Sequence, residues 1–251
     1  MQGLISAART LLFLLILMPI CSWASVTMTG NRIIYPASAT TVDVQLSNKD
    51  ALPYVMQCWF DDGDTESTPQ TGKAPFLVTP PMFRIAPQSG QVLRIAYSGD
   101  KTALPTDRES VFYFNFLQIP PNRASAENNG KNNLLLVLLR NRVKVFYRPD
   151  GLGKPVRQVA SLDISLKHEA AQGAAVTLGN THPWFASVAS VVLSQDGKQW
   201  ASRETDMISP FAQRAWQFPD AKLVAGRPVK VKVTVVNDQG AMESHEYVLA
   251  V

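Results

Sequence analysis

The 251-residue chain carries a formal net charge of +4, and 46% of its residues are apolar. That apolar share excludes a disordered chain, and the length suits one large domain or two of ordinary size. Its lysines and arginines form no dense block, which weighs against a nucleic-acid partner.

The N-terminus bears on the compartment. Arg9 precedes a short apolar run over residues 11–20, and Ser22-Trp23-Ala24 places small residues where a signal peptidase reads. The run is shorter than the ~20 residues that a bilayer span needs. The pattern predicts a cleaved secretory signal over residues 1–24. Cys58 is then the single cysteine of the mature chain, which leaves no intramolecular disulfide. Its strand-like surroundings mark it as a buried structural thiol rather than a nucleophile.

Short β segments separated by turn residues follow. Residues 31–35 (NRIIY) and 41–46 (TVDVQL) read as strands, the second alternating strictly with Val42, Val44 and Leu46 on one face. After a turn at Ser47-Asn48-Lys49-Asp50, residues 52–60 form another strand. Residues 61–75 read as a solvated hairpin loop; Asp61, Asp62 and Asp64 around Gly63 lack the spacing of a calcium loop. Residues 76–79 and 82–85 bracket Pro80-Pro81, and residues 91–97 form a further strand. Residues 103–108 are a turn, and residues 110–119 (SVFYFNFLQI) are aromatic and β-prone. The polar loop 122–133 leads into the longest apolar strand candidate, residues 134–147. Pro149-Asp150-Gly151 ends it with turn chemistry and places a domain boundary there. Strand candidates then recur at 158–166, 174–178, 186–193, 215–218, 228–237 and 245–251. Short strands at such spacing predict an all-β chain of sandwiches or barrels.

The catalytic inventory is thin. His168, His182 and His245 fit no metal-ligand spacing, and there is no nucleophile elbow, P-loop or dinucleotide fingerprint. The expectation is no catalytic residue, no metal, no cofactor and no small-molecule substrate. The unusual feature is residues 134–148, LLLVLLRNRVKVFYR. Period-two alternation puts Arg140, Arg142, Lys144 and Arg148 on one face and Val143, Val145 and Tyr147 on the other. Two readings stay open: a central sandwich strand, or an edge strand kept exposed to pair with another chain.

An ordered set of motifs resembles the periplasmic pilus chaperones of the PapD/FimC type. It runs from Asn31-Arg32-Ile33-Ile34-Tyr35 through Leu46-Ser47-Asn48, Leu52-Pro53-Tyr54 and Trp59. Thr79-Pro80-Pro81 and Arg84-Ile85-Ala86-Pro87 follow. Leu104-Pro105, Asp107-Arg108-Glu109-Ser110, Phe112-Tyr113-Phe114-Asn115 and Ile119-Pro120-Pro121 form the most specific stretch. Val143-Lys144-Val145-Phe146-Tyr147-Arg148-Pro149 closes the first half. Asn180-Thr181-His182-Pro183-Trp184, Ser209-Pro210 and Asn237-Asp238-Gln239-Gly240 mark the second.

The resemblance implies two immunoglobulin-like β-sandwich domains, residues 25–149 and 150–251, set at an angle with a cleft between them. It implies a periplasmic chaperone that lends its own strand to incomplete pilus or fimbrial subunits and delivers them to the outer-membrane usher. Residue by residue, Arg32 and Lys144 would bind the subunit's C-terminal carboxylate. Leu135, Val137 and Leu139 would fill the subunit groove; their neighbours Leu134, Leu136 and Leu138 are equally apolar, and the spacing to Lys144 makes the choice. Glu109, Arg148 and Asp238 would form an interdomain ion network. The cysteine pair of the long-loop class is absent, which indicates the short-loop class, although loop 122–133 is somewhat longer than usual there. The same edge strand is free to pair in a symmetric dimer. A cell-surface structural or adhesive sandwich protein is the rival expectation, and an enzyme on a sandwich scaffold a more distant one.

Overall fold

The computed structural model describes residues 25–121, 137–155, 157–169, 173–202 and 204–250. The expected signal segment, loop 122–133 and Leu135 lie outside the described residues.

Alternation builds the first sandwich. One sheet orders β2 (Arg32–Pro36), β9 (Leu139–Arg148), β8 (Ser110–Ile119), β4 (Tyr54–Asp61) and β6 (Met82–Ile85). From it Phe112, Phe114, Phe116, Met56, Cys58, Phe60, Val145 and Tyr147 point inward and are buried. The facing sheet orders β1 (Val26–Met28), β3 (Val42–Asn48), β7 (Gly90–Tyr97) and β5 (Phe76–Thr79), with Val44, Leu46, Leu93 and Ile95 inward. Phe76 sits at the centre, edge-on to Tyr35, Tyr97 and Phe112 at 5.2–5.3 Å. Such pairs add about 0.5–1.5 kcal/mol each beyond the area they bury.

The second sandwich faces β10 (Asp163–Glu169), β11 (Gly173–Asn180) and β15 (Ala212–Phe218) against a five-stranded sheet. That sheet orders β13 (Lys198–Ala201), β12 (Ala186–Gln195), β16 (Val229–Val236) and β17 (Met242–Leu249), with β14 (Asp206–Ile208) beside β12. In β16 the valines at 229, 231, 233 and 235 are buried while Lys230 and Lys232 face solvent. Each domain therefore has its own core, and the chain has the two-domain all-β fold expected of it.

Three sequence expectations change. Residues 158–166 are not one strand: Gln158–Ser161 form a 3-10 turn that buries Val159, and the strand starts only at Asp163. Val159 is apolar because it plugs the second core, not because it lies in a sheet. The loop after β4 is not merely solvated. Gly72 lies so close to β4 that a Cβ there would sit 2.3 Å from the Phe60 carbonyl oxygen. This close approach lays the loop over the outer face of the sheet, and Asp61 is fully buried beneath it. Finally, β1, β13 and β14, of three or four residues, went unread.

Candidate functional site

The site is organised along β9, whose two halves have different neighbours. From Lys144 to Arg148 the strand is paired on both sides, in parallel with β2 (Arg32↔Lys144 to Pro36↔Arg148) and antiparallel with β8. From Leu139 to Val143 it pairs with β8 alone, because the ladder with β2 begins at Arg32. Its other backbone edge has no partner among the described residues. Leu139 at its start is exposed at 49%, as are Val137 at 58% and Leu138 at 47% just before the strand, while Arg140 to Val143 are half-buried. Strand parity places Leu139 on the same face as Val143, Val145 and Tyr147, which line the core.

Two cations mark where the open edge ends. Arg32 and Lys144 are direct neighbours in the β2–β9 ladder. Arg32 Nη1 donates to the Val236 carbonyl at 2.8 Å and to Ser187 Oγ at 3.4 Å, and Nε donates to Asn31 Oδ1 at 3.1 Å. These bonds fix the guanidinium between the domains and leave Nη2 without a partner among the described residues. Lys144 Nζ has no hydrogen-bond or ion-pair partner among them. Burial, reinforced by Arg32, holds the Lys144 ammonium below the usual lysine range, against the pull of Asp206. Burial likewise lowers Arg32, with Asp238 and Glu109 opposing. Two half-buried cations side by side, with donors to spare, are an arrangement that can hold an anion.

Behind this pair the domains are joined. Arg148 Nε donates to Glu109 Oε1 at 2.7 Å, and its two terminal nitrogens grip both Asp238 oxygens at 2.8 and 3.0 Å. Burial opposes the charge on Arg148, but Asp238 and Glu109 outweigh it and raise its pKa. Glu109 Oε2 accepts from the Phe185 backbone N–H at 2.9 Å, and the Glu109 N–H donates to the Pro183 carbonyl at 2.9 Å. Burial pushes the Glu109 carboxyl up, with Arg148 opposing. Phe146 packs on Phe185 across the same seam, 5.8 Å between ring centroids.

Asp238 belongs to the β16–β17 hairpin, whose tip touches the first domain. Asn31 Nδ2 donates to the Gly240 carbonyl at 3.1 Å. Gly240 has φ +83°, and a Cβ there would meet Asn31 Oδ1 at 2.5 Å. Both the turn and the close approach require glycine.

The structure thus brings together Arg32 with Lys144, and Glu109 with Arg148 and Asp238. It leaves Val137 and Leu139 exposed, Leu139 at the one-sided start of β9. Val137 precedes the strand, which begins at Leu139. Sequence inspection missed the cluster on the outer face of β9, where Arg140 and Arg142 meet Asp61 and Asn115. The matching parity of the two arginines was the only available signal, and it did not identify the acidic partner.

The profile described as "Pili and flagellar-assembly chaperone, PapD N-terminal domain" matches residues 25–153, and "Pili assembly chaperone PapD, C-terminal domain" matches residues 158–247. The chain is 35% identical to the chaperone protein HifB of Haemophilus influenzae over 95% of each protein. It is 36% identical to the probable fimbrial chaperone YadV of Escherichia coli K12 over 87% of each. The crystal structure of YadV superposes with a TM-score of 0.73, at 32% identity, covering 90% of this chain and 100% of that one. A structure of the Salmonella enterica SafA pilin in complex with the SafB chaperone contains a chain with a TM-score of 0.70, at 25% identity. The match covers 90% of this chain and 96% of that one. Two domain profiles in sequence order, relatives matched along nearly their whole length and a shared two-domain fold lead to one conclusion: the chain belongs to the PapD family of pilus assembly chaperones.

Proposed function

We propose that this chaperone works in the periplasm and caps pilus subunits by lending them the segment that runs from residue 134 into β9. The observation that carries this reading is the one-sided pairing of residues 139–143: their open backbone edge ends at the Arg32–Lys144 pair. A subunit that lacks a strand satisfies its backbone groups along that edge. Leu135, Val137 and Leu139 enter its groove, and Leu139 lies on the face that continues the chaperone's own core. Arg32 and Lys144 take the subunit's C-terminal carboxylate and so fix the register. Glu109, Arg148 and Asp238 hold the two domains, divided near residues 149–150, at a working angle. Residues 1–24 are the export signal, and the capped subunit passes to an outer-membrane usher. In the free protein the open edge is available to a second copy.

The test is subunit recovery from the periplasm with Lys144→Ala and Arg32→Ala. Each charge-assisted bond to a carboxylate is worth about 1.5–3 kcal/mol, so each variant lowers capture about tenfold or more while the chaperone stays folded. Wild-type recovery with both variants overturns the reading.

A further inference from the structure

The outer face of β9 carries a second constellation, within one domain and away from the Arg32–Lys144 pair. Asp61, at the end of β4, is fully buried, yet its carboxylate is saturated. Arg142 grips both of its oxygens at 2.5 and 3.1 Å. Asn115 Nδ2 donates at 2.7 Å, Ser67 Oγ at 3.2 Å and the Gly63 N–H at 2.8 Å. Arg140 is held from two sides. Its Nε and Nη2 donate to Asn115 Oδ1 at 3.0 and 2.7 Å, and its Nη1 donates to the Thr65 carbonyl at 2.8 Å. Both arginines also lie over rings, Arg142 3.5 Å from the Tyr113 centroid and Arg140 5.0 Å from that of Trp59.

The position of this constellation gives it meaning. Arg140 and Arg142 alternate along the half of β9 that lacks β2, and they are the residues between Leu139 and Lys144 that face away from the core. A strand paired on one side has only half of its ladder and depends more on its side chains to stay ordered. Here the fixing comes from the opposite face and leaves the free edge and the Leu139 face untouched. The loop after β4 completes it, closed down by the Gly72 contact with Phe60.

We infer that Asp61, with Arg142, Arg140 and Asn115, is a positioning clamp that holds the root of the lending strand extended before any subunit arrives. This rests on the proposed strand-lending function. By paying the ordering cost of residues 139–143 in advance, the clamp speeds and tightens capture without touching the subunit. The residues act through β9 and are positioning residues.

The test combines local exchange with capture, using Asp61→Asn and the milder Arg142→Lys, which keeps the charge but loses the two-oxygen grip. Native-state amide exchange is followed at residues 139–143, and capture is measured with a pilin subunit lacking its N-terminal extension, refolded from urea beside the chaperone. Exchange at residues 139–143 is expected to quicken at least tenfold, with capture falling about as much, roughly the effect of one charge-assisted bond. Exchange in the second domain stays unchanged. Wild-type exchange and capture at temperatures where the variants are folded would reduce the clamp to ordinary structural support and overturn the inference. Lys144→Ala serves as the control. If it too captures normally, the strand-lending reading fails; if it loses capture while the clamp variants keep it, only the clamp fails.

Discussion

The two halves of β9 both place basic residues on one face, Arg140 and Arg142 in one and Lys144 and Arg148 in the other, yet they end in opposite states. From Lys144 to Arg148 the strand has neighbours on both edges, and its last four residues are buried. From Leu139 to Val143 it has one neighbour and no fully buried residue. In the closed half, Arg148 finds two carboxylates and joins the domains. At the junction, Lys144 feels Asp206 but has no ion-pair or hydrogen-bond partner among the described residues. On the proposed function, the contrast separates what the chain needs in order to fold from what it lends to a subunit. Arg148, Arg140 and Arg142 are satisfied within the chain, whereas Lys144 has no such partner among the described residues, and on the proposed function it meets the subunit's carboxylate.

The largest effect is expected from breaking the closed half. Arg148→Met leaves Glu109, 2% exposed, and Asp238, 21% exposed, without the cation that bonds to both, with Arg32 acting on them only through space. Removing one member of a buried ion pair costs about 3–5 kcal/mol, because the partner's charge stays buried. The variant should lose thermal stability strongly, and the two domains should unfold in separate steps by calorimetry. Lys144→Ala should do the reverse. It removes a cation that burial and Arg32 already disfavour, so thermal stability should hold or rise while capture is lost. Equal stability losses in the two variants would erase the distinction between the halves.

A smaller effect sharpens the comparison at the hairpin that clasps the closed half. Gly240→Ala puts a methyl against Asn31 at a backbone angle of +83°. Strain at a left-handed position costs on the order of 1–2 kcal/mol. The hairpin tip should withdraw from the first domain. Small-angle scattering should register a wider distribution of domain angles, with each domain's own core intact. An unchanged scattering curve would mean that the hairpin tip does not set the angle and that the other seam contacts do.

Much of this division is visible in the order of residues. Alternation through Arg140, Arg142 and Lys144 against Val143, Val145 and Tyr147 assigned the core face of β9 correctly, because a period of two leaves no other choice. The motif resemblance led to Glu109, Arg148 and Asp238, which are separated by 39 and 90 positions and share no local pattern. Asp61 could not be read. An aspartate beside Asp62, Gly63 and Asp64 looks solvated in sequence, and its burial depends on Arg142, 81 positions away, and on a loop that folds back over the sheet. Polar residues announce exposure by type and lose it only through tertiary partners. The turn at Gln158–Ser161 was misread for a related reason: its buried Val159 serves a core, and a core accepts apolar residues from any backbone geometry.

The finest test separates the halves by proton linkage. The Lys144 ammonium sits below its ordinary range because burial, and then Arg32, disfavour its charge. Between that lowered value and the ordinary 10.5, the unfolded chain binds more protons than the folded one, so Lys144's contribution to free-chaperone stability rises with pH. A subunit carboxylate placed beside Lys144 favours the charged form and raises its pKa. Capture is therefore strongest below the free-state value and weakens as pH rises through it, at lower pH than an ordinary lysine would give. Calorimetric titrations in buffers of different ionisation enthalpy should detect a proton taken up on binding in that alkaline window, and the uptake should vanish in Lys144→Ala. Uptake that persists in the variant would place the titrating group elsewhere on the interface. No comparable signal is expected from Arg148, whose guanidinium stays charged whether or not the open half of its strand is occupied.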